Sequence, residues 1–152
     1  MLRREVERLL LSHDAVIALT DVYTGSEPRD FLMATDAITK MRGWVGNNPQ
    51  FYPHAAQYEF EAWLFPFWPR VRTLTGTTRQ SPSMTPESVN HNKPPSAYLE
   101  EAYRTGKKRA YRKVSDATAI LRGQDLEVSA KACPELKAFL NTILTLSGGS
   151  PL

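Results

Sequence analysis

The sequence predicts an α/β fold: an incomplete parallel sheet flanked by helices, followed by a helical C-terminal half. Three observations carry this. Ala15-Val16-Ile17-Ala18-Leu19 is a short continuous apolar run of the kind that forms strands buried on both faces. Helical apolar spacing precedes it at Val6, Leu9 and Leu10, and follows it at Phe31, Leu32, Ala34, Ala37, Ile38 and Met41. A second strand is expected at residues 50–58, so helices and strands alternate with short joints, the pattern of a parallel sheet.

Taken in order, residues 2–12 form an amphipathic helix that Ser12-His13-Asp14 breaks. The first strand ends in Thr20-Asp21, and Val22 to Pro28 is a loop by its glycine and proline. Pro28 can open the helix of residues 29–43 at its first turn, and Gly43 and Gly46-Asn47-Asn48-Pro49 end it. In the second strand Phe51, Tyr52, Ala55 and Ala56 are the apolar positions, weakened by Pro53. Residues 59–68 read as helical until Pro66 and Pro69. Residues 73–95, rich in Ser, Thr, Pro and Asn, read as exposed loop. Three helices follow: one from Ser96, a plausible N-cap, through Tyr103, then Ser115–Leu121 and Glu135–Leu146. The reading is one domain over 1–146, with an α/β core at 1–72, the loop at 73–95, a helical part at 96–146 and a tail at 147–152.

Composition narrows the function classes. At 152 residues the chain can bury a proper core, and 41% hydrophobic with 23% charged residues is ordinary for a globular protein. A net charge of +3 is compatible with a polyanionic partner but too small to imply one. The single cysteine, Cys133, excludes an internal disulfide framework and suits a reducing cytoplasm. No apolar run approaches the roughly 20 residues that span a bilayer, and Met-Leu-Arg-Arg-Glu does not start a signal peptide. A soluble cytoplasmic protein without a membrane partner is expected.

The chemistry-bearing stretch is Gln57-Tyr58-Glu59-Phe60-Glu61-Ala62-Trp63-Leu64-Phe65-Pro66, which sets two carboxylates in an apolar run. A buried carboxylate protonates, pairs with a cation or binds metal. Asp21 and Glu59 each follow a predicted strand, where parallel sheets collect ligands. Together with Glu61 they could hold Mg²⁺, a hard cation suited to oxygen ligands, which can activate water against a phosphodiester. In the competing reading Asp21 caps a turn and Glu59 caps a helix, and spacing alone favours it. If residues 59–65 are helical, Glu59 and Glu61 point about 200° apart; if the strand runs on, they share a face.

Lys107, Lys108, Arg109, Arg112 and Lys113, interleaved with Tyr103 and Tyr111, form the dense basic cluster, either a nucleic-acid backbone contact or a solvated loop. His13, His54 and His91 lack metal-ligand spacing, so no zinc site is expected. Cys133 reads as a buried structural thiol, and Trp63, Phe65, Phe67 and Trp68 read as core. No phosphate-loop or Gly-x-Ser-x-Gly pattern is present, which leaves nucleotide hydrolysis and acyl-enzyme chemistry unsupported.

These residues resemble the bacterial domain of unknown function 4276 family. Asp21-Val22-Tyr23 with Pro28, then Tyr58-Glu59-Phe60-Glu61-Ala62-Trp63-Leu64-Phe65, match its core. Pro86-Glu87-Ser88-Val89-Asn90, Pro95-Ser96, Tyr111-Arg112-Lys113 and Cys133-Pro134 follow in the family's order. The resemblance implies a TOPRIM-like fold and a Mg²⁺- or Mn²⁺-dependent nuclease, or a subunit derived from one, in antiphage defence beside an ATPase partner. It implies Asp21 as a strand-end metal ligand, Glu59 and Glu61 as further acids, and Lys113 and Asn90 as polar groups near the site. Two departures stand out. Family members usually begin with a strand and a Glu-Gly-x-Thr-Glu stretch, and this chain starts later; the position before Glu59, usually histidine, is Tyr58. The expectations are therefore three: metal-assisted phosphodiester hydrolysis, a non-catalytic interaction subunit, or a plain nucleic-acid-binding module, with self-association left open.

Overall fold

The computed structural model describes residues 1–90 and 93–152. It is a mixed α/β structure in which a two-stranded parallel sheet carries helices on its faces and the C-terminal half is helical. The order is α1 (Leu2–Leu10), β1 (Val16–Asp21), α2 (Ala34–Val45), β2 (Phe51–Ala56), a 3₁₀ segment Phe60–Phe67, α3 (Trp68–Thr75), a 3₁₀ turn Pro86–Ser88, α4 (Pro95–Lys107), α5 (Lys113–Leu121), α6 (Leu126–Ala132) and α7 (Pro134–Leu146).

β1 and β2 pair in register from Val16 opposite Phe51 to Asp21 opposite Ala56, so both strands end at one level. One face of the sheet packs Val16 and Phe51 against Val6, Met41 and Val45 of α1 and α2. On the other face Ala56 joins Trp63, Cys133 and Leu136 beneath α7. Pro53 is accommodated because β2 pairs on one side only. The expectation that β1 is buried on both faces is corrected: Leu19 is 43% exposed, while α7 packs on His54 and Ala56 of β2.

The Phe60–Phe67 segment is the hub of the second, larger core. Leu64, Phe65 and Phe67 pack with Trp68 and Val71 of α3, Leu99 and Tyr103 of α4 and Ile120 of α5. The aromatic run is core, as its composition indicates. The segment is a 3₁₀ helix rather than the expected α-helix; Pro66 lies inside it and has no N–H to donate to an i−4 carbonyl. Pro69 then occupies the first turn of α3, which runs into the stretch expected to be loop.

Three further differences have local causes. α2 begins at Ala34 rather than Arg29, since Gln57 Oε1 accepts the Ala34 N–H at 2.9 Å and sets the helix start there. Ser96 is not an N-cap: α4 starts at Pro95, and the Ser96 N–H is taken by Glu59. α6 was not expected; Asp125 caps it through Glu127 N at 2.9 Å, an Asp-x-Glu signal present in the sequence. No described helix is long and apolar enough to cross a membrane.

Candidate functional site

The site forms where the chain leaves β2. Tyr58 has φ +67°, a left-handed conformation uncommon for a bulky residue, and its carbonyl accepts the Tyr23 N–H at 2.8 Å. Gln57, Glu59 and Glu61 flank this turn, and their side chains go three ways. Gln57 caps α2. Glu59 Oε2 accepts from Ser96 N at 2.7 Å at the start of α4. Glu61 enters the core and is 0% exposed.

Asp21, at the end of β1, holds the other side of the junction. Its Oδ1 accepts the Phe60 N–H at 2.8 Å, which caps the 3₁₀ segment, and its Oδ2 accepts from Lys113 Nζ at 3.0 Å. The same ammonium lies 3.5 Å from Glu61 Oε1 and 4.7 Å from the centroid of the Phe60 ring. Lys113 is the first residue of α5, 92 positions from Asp21 in sequence. Asp21, Glu61 and Lys113 thus converge, and Glu59 stands apart as a helix cap.

The electrostatics are uneven. Both Glu61 oxygens are buried without a hydrogen-bond partner. Burial raises the Glu61 carboxyl from its ordinary 4.5 to about 7; Lys113 opposes the rise, and Glu59 and Asp21 add to it. Desolvation acts to lower the Lys113 ammonium, and the Asp21 hydrogen bond and the Glu61 charge outweigh it, so its pKa lies above the usual lysine value. Tyr111 is raised by burial first and by Glu61 next.

Among the described residues no group of three or more His, Cys, Asp or Glu side chains is placed to hold a metal ion. A Mg²⁺ ion needs fewer protein ligands, since one or two carboxylates with water and substrate phosphate suffice. The orphaned Glu61 carboxylate and the neighbouring Asp21 fit that smaller set. Glu59 lies on the other side of the junction, with its Oε2 bonded to Ser96 N.

A family model described as a domain of unknown function (DUF4276) matches residues 1–144. The chain belongs to the DUF4276 family. Comparisons with curated proteins and with solved structures find no match. In this DUF4276 chain the family-like segments at 21–23, 58–65 and 111–113 meet around the Asp21–Lys113–Glu61 contact.

The basic cluster divides. Arg109 is committed to the protein: its guanidinium makes two 2.7 Å bonds to Asp116 and lies 4.9 Å from the Tyr103 ring centroid. Lys107, Lys108 and Arg112 are exposed, and Lys113 turns inward to the acids. Asn90 lies with Glu59 in the wall of an open cleft of about 610 Å³, which starts at Val22, immediately after Asp21. The histidines lie elsewhere. His54 bonds Thr142 at 2.9 Å, His13 bonds Ser12 and the Leu9 carbonyl, and His91 is outside the described residues. Cys133 is buried, and burial pushes its thiol up to about 12.

Sequence reasoning missed Glu87. It accepts from Trp63 Nε1 at 2.8 Å and from the Glu135 and Leu136 amides, so it caps α7 from 48 residues away. No spacing rule could find it, because the capping residue lies outside the helix it caps.

Proposed function

We propose that this chain is a Mg²⁺- or Mn²⁺-dependent phosphodiester hydrolase, or a nuclease-derived subunit, acting in the cytoplasm in antiphage defence with an ATPase partner. The observation that carries the reading is the buried, unbonded Glu61 carboxylate facing Lys113, beside Asp21 at the end of β1. A stable fold does not keep an orphaned acid in its core for packing alone, and such groups concentrate at functional sites. The defence setting and the ATPase partner come from the family resemblance.

Asp21 and Glu61 are the residues that would hold the ion, which when bound supplies Lewis-acid stabilisation of charge on a phosphoryl oxygen. Lys113, with its side chain 53% exposed, reaches both acids and solvent and offers its positive charge to a phosphate. Asp21 also ties β1 to the Phe60 amide, so the acid is preorganised by the same bond that starts the 3₁₀ segment. Lys107, Lys108 and Arg112 would contact the flanking phosphates, giving a salt-dependent affinity.

The test is a nuclease assay with Mg²⁺, Mn²⁺ or chelator on the full chain. Cleavage lost in Asp21→Ala and in Glu61→Gln, with the fold retained by circular dichroism, supports the reading. Cleavage unchanged in both sinks it. The engagement of Glu59 Oε2 at the start of α4, and of both Asp21 oxygens by Phe60 N and Lys113, favours the second reading of a non-catalytic interaction or nucleic-acid-binding subunit. That reading predicts no Mg²⁺ binding by calorimetry.

A further inference from the structure

The cleft of about 610 Å³ has the size of a small-molecule site and opens at the carboxyl end of β1, where parallel sheets receive ligands. Its walls combine aromatic, basic and neutral polar groups, with the carboxylates of Glu27 and Glu59 also in the lining. Tyr23 supplies an aromatic ring, packed 5.3 Å from Tyr58 and covered at 5.0 Å by the Arg29 guanidinium. Arg29 makes no ion pair with a carboxylate among the described residues, whereas Lys93, also in the lining, is held by Glu101 at 2.7 Å and lies 4.0 Å from the Tyr98 ring centroid. Asn90 and Ser26 add polar side chains. The loop that presents Arg29 is closed on itself by the Thr24–Asp30 bond of 2.5 Å, so the wall is preformed.

An aromatic ring, an uncompensated guanidinium and amide and hydroxyl groups match the three parts of a nucleotide: base, phosphate and sugar. A base in a duplex is stacked and paired, and it enters a pocket of this size only after extrusion; an unpaired base enters directly. We propose that the cleft seats one unpaired nucleotide of a single-stranded nucleic acid, whose neighbouring phosphate lies toward Asp21 and Lys113. This rests on the phosphodiester reading above and adds the form of the substrate.

The test is fluorescence anisotropy in chelator, where no metal-dependent cleavage occurs. The probes are a short labelled single-stranded oligodeoxynucleotide without self-complementarity, the same labelled strand annealed to its full complement as a blunt duplex, and an unlabelled deoxymononucleotide as competitor. The single strand is expected to bind more tightly than the duplex, and Arg29→Ala to weaken it by about tenfold, the scale of one stacking or cation–π contact. Tyr23→Leu should act in the same direction, and both variants should leave duplex binding unchanged. Equal binding of strand and duplex, an unchanged strand affinity in Arg29→Ala, or a mononucleotide as tight as the oligonucleotide overturns the proposal. A single-strand preference that persists while no cleavage is found with Mg²⁺ refutes the hydrolase reading and leaves the cleft assignment standing.

Discussion

Glu61 Oε1 lies 3.5 Å from Lys113 Nζ, near enough for attraction and too poorly placed for a hydrogen bond, so a fully buried carboxylate keeps both oxygens unsatisfied. Such an arrangement costs stability. Replacing Glu61 by Gln removes the buried charge, and the variant should be more stable than the parent at pH 8 by about 1–3 kcal/mol. Urea unfolding checks this, and the nuclease assay on the same variant shows whether stability rises as activity falls.

The sign of the pH dependence follows from the same group. The folded carboxyl titrates near 7 and the ordinary carboxyl at 4.5, so between these values the folded state binds the extra proton. The contribution of Glu61 to stability is therefore fully present below the lower value and is lost as pH rises through the upper one. Glu61→Gln should flatten that decline, measured as the unfolding midpoint across the pH range. A slope unchanged by the substitution would show that Glu61 is not its source.

Glu59 and Asp21 should separate experimentally. Glu59→Ala removes the cap on Ser96 and should lower stability by about 1 kcal/mol, with cleavage retained. Asp21→Asn keeps an acceptor for Phe60 N and should stay folded, with cleavage lost. Thermal melts and the assay, run on both variants, give the comparison.

Asp116 ties the connection between α4 and α5 to the first turn of α5. It accepts two bonds from Arg109 and one from Arg112 N, and chiefly the Arg109 bonds hold its carboxyl below the usual aspartate range. The stability it contributes is present above its ordinary pKa and is lost as pH falls through the folded value. Asp116→Ala should cost about 2–4 kcal/mol at neutral pH and reduce the steepness of acid unfolding.

Gly106 is required by packing. A Cβ there would meet the Thr75 carbonyl oxygen at 2.2 Å, where α4 crosses the end of α3. Gly106→Ala should destabilise by about 1–3 kcal/mol despite alanine's better helix propensity, and denaturant unfolding decides the sign. A stabilised variant would mean that the two helices separate at little cost.

The main elements were legible because their information is local. The β1 run, the α2 and α7 stripes and the Pro-led start of α7 follow from periodicity and from what proline cannot do, whereas Pro69, read as a stop, opens α3. α6 was legible too, through Asp125, and was passed over. The 3₁₀ character of Phe60–Phe67 was harder, since apolar spacing does not separate it from a short α-helix.

By itself the sequence determined the alternation of helices and strands, the aromatic core and the placing of Asp21 at the end of one parallel strand and Glu59 beyond the other. It could not assign the acids of Glu59-Phe60-Glu61. The left-handed Tyr58 and the extended Glu59 send one carboxylate to Ser96, 37 positions away, and leave the other inside the core facing Lys113. Capping and ion pairing across such separations depend on where folded elements meet, and periodicity carries no record of that meeting. The tertiary structure alone decided which acid became a helix cap and which became a buried charge.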